Sequence, residues 1–150
     1  RARCRHTAMV DVPDGHEGCP GSFAIIWEAS RWESCRVLCT THGSNEGVRD
    51  LWSPVLDKHE VDLVVAGHNH TYERSVPIRN GEKVDRGDGT LYLVSGGAGA
   101  PLYTGVEDTW FNKVSDPTYH YIIGTFSETE ASFKVYDLSE NVIDRFTIPR

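Results

Sequence analysis

Two histidines one residue apart, His68 and His70, close a run that reads Leu63-Val64-Val65-Ala66-Gly67-His68-Asn69-His70. Neutral imidazole is a good ligand for zinc, iron or manganese. Residues two apart in extended chain point the same way. In the turn after a strand their side chains can diverge, so His68 and His70 could serve two adjacent cations. The run before them supplies the positioning: Val61 to Ala66 is short and nearly continuously apolar, the pattern of a strand covered on both faces. Gly67 ends it, free to turn sharply at the carboxyl edge of the sheet, where open α/β sheets hold their ligands. A lone histidine is usually a solvated loop residue. Two of them directly after a buried strand and a glycine point instead to a metal site.

The neighbouring elements can be read from the same patterns. Arg36 to Thr41 reads as a strand, and Ser44 as the N-cap of a helix with Val48, Leu51, Trp52, Val55 and Leu56 on its apolar face. Pro54 predicts a kink or break near Leu51. Strands are expected near Val76 to Arg79 and at Leu91 to Ser95, His120 to Phe126, Ala131 to Asp137 and Val142 to Ile148, with turns at Asn80-Gly81 and Asp88-Gly89. The fold class is α/β (α+β), strand-rich after residue 60. Gly96 to Ala100 lacks the lysine and hydroxyl residue of a P-loop, so its glycines are read as letting the backbone pass close to the histidine loop.

Gly67-His68-Asn69-His70 matches the last metal-binding motif, Gly-His-x-His, of the calcineurin-like metallophosphoesterases, and Tyr72-Glu73-Arg74 resembles the purple acid phosphatase branch of that superfamily. The likeness extends to His42-Gly43-Ser44-Asn45, to Ser95-Gly96-Gly97-Ala98-Gly99-Ala100-Pro101-Leu102-Tyr103, to Tyr119-His120-Tyr121 and to Val142-Ile143-Asp144-Arg145-Phe146-Thr147-Ile148. It implies the C-terminal part of a β-sandwich flanked by helices, spanning residues 42–150. Residues 1–41 remain unassigned, a divergent or foreign segment. The resemblance implies two divalent or trivalent metal ions (iron, zinc or manganese), with His68 on one and His70 on the other. His42 is either a third ligand, as in compact members of the family, or a catalytic and substrate-binding residue that contacts phosphate. The implied reaction is hydrolysis of phosphate esters, most of all phosphomonoesters, and the implied location is secreted or periplasmic.

The family's other motifs supply carboxylate ligands that this chain does not reproduce. Asp14-Gly15-His16 spells Asp-x-His, but the interval between His16 and His68 is too short for the family's intervening elements, and His16 reads as a turn residue beside Pro13, Gly15 and Gly18. Two other readings therefore stand beside the enzyme: a non-catalytic metal-binding remnant and a β-rich binding module. The net charge of −7 over 150 residues argues against nucleic acid as a partner. No stretch approaches the roughly 18 apolar residues of a membrane span. All the cysteines, Cys4, Cys19, Cys35 and Cys39, fall early in the chain, without the Cys-x-x-Cys spacing of a strong zinc signal.

Overall fold

The structure, a computed structural model, describes residues 22–25, 46–104 and 109–149. In chain order the elements are β1 (Ser22–Ile25), α1 (Glu46–Lys58), β2 (Val61–Ala66), β3 (Tyr72–Ser75), β4 (Ile78–Arg79), β5 (Glu82–Lys83), β6 (Leu91–Ser95), β7 (Asn112–Asp116), β8 (His120–Phe126), β9 (Glu130–Asp137) and β10 (Val142–Pro149). One sheet has the order β1-β2-β6-β3-β7. A second, antiparallel, has the order β10-β9-β8, and β4 and β5 form a small hairpin.

The apolar run of β2 forms a central strand because it is buried from both sides. It pairs in parallel with β1 and with β6, Leu63 opposite Leu91 and Val65 opposite Leu93. Leu63, Leu91 and Leu93 face the second sheet and pack with Phe133, Val135, Phe146 and Ile148. Val64 and Tyr92 face the other way, toward Leu56 of the helix and toward Val76, Ile78 and Phe111. The result is three layers, helix on sheet on sheet, and the strand-rich sandwich is the architecture expected from the sequence.

Several local expectations need correction. α1 runs through Pro54 from Glu46 to Lys58 without a break at Leu51. Proline removes the hydrogen bond to the carbonyl four residues earlier. Here that residue, Asp50, is exposed, as is Pro54, so water can reach the orphaned acceptor. The apolar face is also narrower than its spacing suggests. Leu56 is buried and Trp52 packs on the core, while Leu51 and Val55 are 70 % and 53 % exposed. β3 and β7 were not anticipated as strands: Tyr-Glu-Arg-Ser and Asn-Lys-Val-Ser-Asp carry little apolar signal, and their pairing with β6 and with each other is what makes them strands. The Asn80-Gly81 turn is as expected, with both residues at positive φ, 53° and 76°, closing the β4–β5 hairpin. The expected strand Arg36 to Thr41 lies outside the described residues.

A polar cluster joins the two sheets. Tyr72 Oη donates to Asp144 Oδ2 at 2.6 Å, and Arg74 donates to both carboxylate oxygens, at 2.6 and 3.0 Å. The Arg74 guanidinium also lies 4.9 Å from the centre of the Phe146 ring. Both charged side chains of the pair are about 90 % buried, so the geometry has to compensate a substantial loss of hydration. Burial pushes the Asp144 carboxyl up, but the Arg74 and Tyr72 hydrogen bonds outweigh it and hold the group below its ordinary 3.8. Burial and the adjacent carboxylate together push the Tyr72 hydroxyl far above its usual value.

Asp144→Ala should destabilise the chain by about 3–5 kcal/mol in urea titration, because it strands the Arg74 charge in a dry site. The same cluster sets an acid limit. Asp144 has a lower pKa folded than unfolded, so its contribution is complete above pH about 4 and is lost as pH falls through the folded value. Wild type should therefore lose stability at low pH more steeply than Asp144→Asn.

Candidate metal loop

β2 and β3 are the two anchored ends of the loop that carries His68 and His70. Within it, the Asn69 amide donates to Gly67 O at 3.0 Å, closing a three-residue turn with His68 at its centre. His68 sits there at φ 75°. Such a conformation costs a side-chain-bearing residue on the order of 1–3 kcal/mol, and backbone strain of this kind concentrates at functional sites. The His68 ring is exposed to solvent. Asn69, between the histidines, is buried, and its amide side chain lies 3.4 Å from Glu73.

His70 is held differently. Its Nδ1 lies 2.8 Å from the carbonyl oxygen of Pro101, so Nδ1 carries the proton and Nε2 is left with its lone pair. The ring stacks on Tyr103 with centroids 4.4 Å apart. A backbone carbonyl on one nitrogen that frees the other is the usual support of a metal-binding histidine. In this respect His70 fits a metal, and His68, presented to solvent at the strand's carboxyl edge, is able to join it. Among the described residues no group of three or more His, Cys, Asp and Glu converges as a metal ion requires, so these two imidazoles would be only part of a ligand set. His42, Asp14, His16 and the cysteines lie outside the described residues.

The glycine-rich segment clamps the loop from the side. Gly96 N donates to Thr71 O, and Tyr103 N to His70 O. A β-carbon on Gly96 would collide with the carbonyl oxygen of Asn69, and one on Gly97 with that of Thr118. Glycine is needed here for close backbone approach, as the sequence suggested, and not for cradling phosphate.

His120 is a residue whose part in this region the sequence did not reveal. It is buried, with Nδ1 2.9 Å from Thr118 O and Nε2 2.9 Å from Ser95 Oγ. The carbonyl fixes the proton on Nδ1, so Ser95 donates to Nε2. Its amide donates to Gly97 O, and its ring meets Tyr72 edge-on at 5.2 Å. His120 thus fastens the glycine-rich segment to the second sheet. No spacing signal marks it; it stands alone at the start of a strand.

Strand-rich sheets with one helix are consistent with the C-terminal β-sandwich of a metallophosphoesterase fold. No protein-family model matches the chain. Its curated relatives include Probable inactive purple acid phosphatase 27 of Arabidopsis thaliana, 31 % identical over 117 residues, which cover 70 % of this chain and 18 % of the relative. Nucleotide pyrophosphatase/phosphodiesterase of Hordeum vulgare is 29 % identical over 117 residues, 70 % of this chain and 30 % of that protein. Among solved structures, the purple acid phosphatase from yellow lupin (Lupinus luteus) seeds superposes with a TM-score of 0.68 at 26 % identity, over 85 % of this chain and 25 % of the lupin chain. The chain is purple acid phosphatase-like, and it corresponds to the C-terminal portion of the catalytic domain in the calcineurin-like metallophosphoesterase superfamily. It spans 13–30 % of the length of the curated relatives it matches.

Burial holds His120 below the ordinary imidazole value of 6.5, against the pull of Thr118 O and Asp116. The unfolded chain therefore takes up this proton first. The stabilisation is complete above pH about 6.5 and declines as pH falls through the folded value. Proton NMR of the His120 ring should give a midpoint below 6.5, and His120→Gln should flatten the stability profile between that midpoint and neutrality.

Proposed function

We propose that this chain supplies the last metal-binding segment of a dinuclear metallophosphoesterase that hydrolyses phosphate esters, phosphomonoesters above all. The observation that carries the reading is the histidine loop: a strained, solvent-presented His68 beside a His70 whose Nε2 is freed by Pro101 O. Kinship with purple acid phosphatases and with a nucleotide pyrophosphatase/phosphodiesterase supports phosphorus as the reacting centre. The proposal takes the metals as iron, zinc or manganese, and the division of the chain at residue 42 belongs to it. Ser22–Ile25, before that division, nevertheless pairs with β2 and so contributes a strand to the sheet.

Two cations held there would supply charge to bind phosphate oxygens and to lower the pKa of a coordinated water. His68 and His70 would each hold one cation, and Pro101 O and Tyr103 would keep the His70 ring in one tautomer and one orientation. His42, at the phosphate, would neutralise its charge or give a proton to the leaving oxygen. Imidazoles alone compensate two multiply charged cations poorly, so the carboxylate ligands of the proposal come from outside the described residues. A non-catalytic metal-binding role is the second reading, favoured by relatives that themselves bear the name inactive.

On this reading the 150 residues alone bind fewer than two metal ions per chain and turn over an aryl phosphate no faster than background. Robust turnover that disappears in the His68→Ala, His70→Ala double variant would overturn it. His68→Gly is the sharper variant. Relief of the positive φ should raise stability by about 1 kcal/mol while metal retention, read by elemental analysis after gel filtration, falls. Unchanged metal content would remove His68 from the site.

A further inference from the structure

The opposite end of the sandwich holds a second concave site. A cavity of about 660 Å³ opens where β3 ends and β6 begins, over a floor that includes Phe133 and Phe146. Arg74, Lys83, Arg86, Lys113, Lys134 and Arg145 line it, with Asp85 as the acid among its lining residues. Among the described residues, Arg49, Lys58 and Arg79 are the cations that do not belong to it. In a chain of net charge −7 this is a strong segregation of positive charge.

The cations are also left without compensation. Arg74 is paired with Asp144, but Lys83, Arg86, Lys113, Lys134 and Arg145 have no ion-pair partner among the described residues. Lys134 and Arg145 are directly opposite each other across β9 and β10. Like charges facing across an antiparallel pair destabilise it. They alternate with the inward-facing Phe133 and Phe146, so their side chains project from the outer face of β9 and β10, and the cations that approach the cavity are Arg74, Lys83, Arg86 and Lys113 from β3, β7 and the segment around β5. An anion in the cavity would compensate Lys83, Arg86 and Lys113.

We propose that this cavity is a binding site for a small anion carrying two or more phosphoryl groups. Its volume is that of a small-molecule pocket, and its charges, spread over several segments, exceed what one phosphate could engage. The net negative charge of the whole chain disfavours an extended nucleic acid, whereas a compact polyphosphate meets only the local field. The site is separate from the histidine loop. Leu91 lines the cavity and Ser95 reaches the loop's edge, roughly 13 Å away along β6 at about 3.3 Å per residue.

The test is calorimetric titration of the whole chain with inorganic tripolyphosphate, with a chelator present to strip any metal. Saturable binding of one anion per chain is expected, weakened by salt and at least about ten-fold stronger than orthophosphate binding. The Lys83→Ala, Arg86→Ala, Lys113→Ala variant should lose at least about ten-fold in affinity, and the His68→Ala, His70→Ala variant nothing. A circular dichroism spectrum and melting temperature of the triple variant that match wild type separate a ligand site from a damaged fold. Phosphatidylcholine vesicles carrying a phosphatidylinositol bisphosphate test the headgroup form of the same chemistry, and capture that tripolyphosphate competes away would support the site. No saturable tripolyphosphate binding, full affinity in the triple variant, loss in the histidine variant, or capture by vesicles alone would each overturn the proposal.

Discussion

The Asp144 carboxylate, gripped by Tyr72 and Arg74, is the contact on which the rest of the arrangement depends. Apolar packing between the sheets is non-directional and would tolerate sliding; a carboxylate with three hydrogen bonds from the facing sheet in a nearly dry setting would not. Tyr72 begins β3, two residues after His70. The same contact that registers the sheets against each other therefore pins the downstream end of the histidine loop, while β2 pins the upstream end.

Between those anchors the loop is shaped by backbone contacts rather than by its own side chains. The segment after β6 lies against it closely enough to exclude a β-carbon at Gly96, and then returns to lay Pro101 O and Tyr103 against His70. His120 fastens that segment in turn to the second sheet. The chain of support thus runs from the buried sandwich, through the glycine-rich segment, to one imidazole nitrogen. It leaves His68 as the unsupported and strained member of the pair.

Much of this was legible in the sequence where burial on both faces writes a continuous apolar run. β2, β6 and β8 are read with their observed bounds, and β9 and β10 to within one residue. β3 and β7 were missed because their strand character comes from neighbours, and Tyr72-Glu73-Arg74 looks polar until Asp144 is brought beside it from 70 residues away. The helix was found but its buried face was read too broadly, since spacing by threes and fours cannot tell Leu51 and Val55 from Trp52 and Leu56. At the loop, the histidines and the close passage of Gly96 could be anticipated from residue types. The tautomer of His70 could not, because it is decided by a carbonyl 31 positions later. The basic cavity was invisible for a similar reason: its cations are scattered from residue 74 to residue 145 and form no run.

The left-handed backbone at His68 also bears on how such a chain would drift over generations. Everything that holds the sandwich together lies elsewhere, so the side chain at this position can be lost without harm to folding, and glycine there removes a steric penalty. On stability grounds alone that exchange would be favoured. Histidine at this position therefore carries a conformational cost that glycine would not.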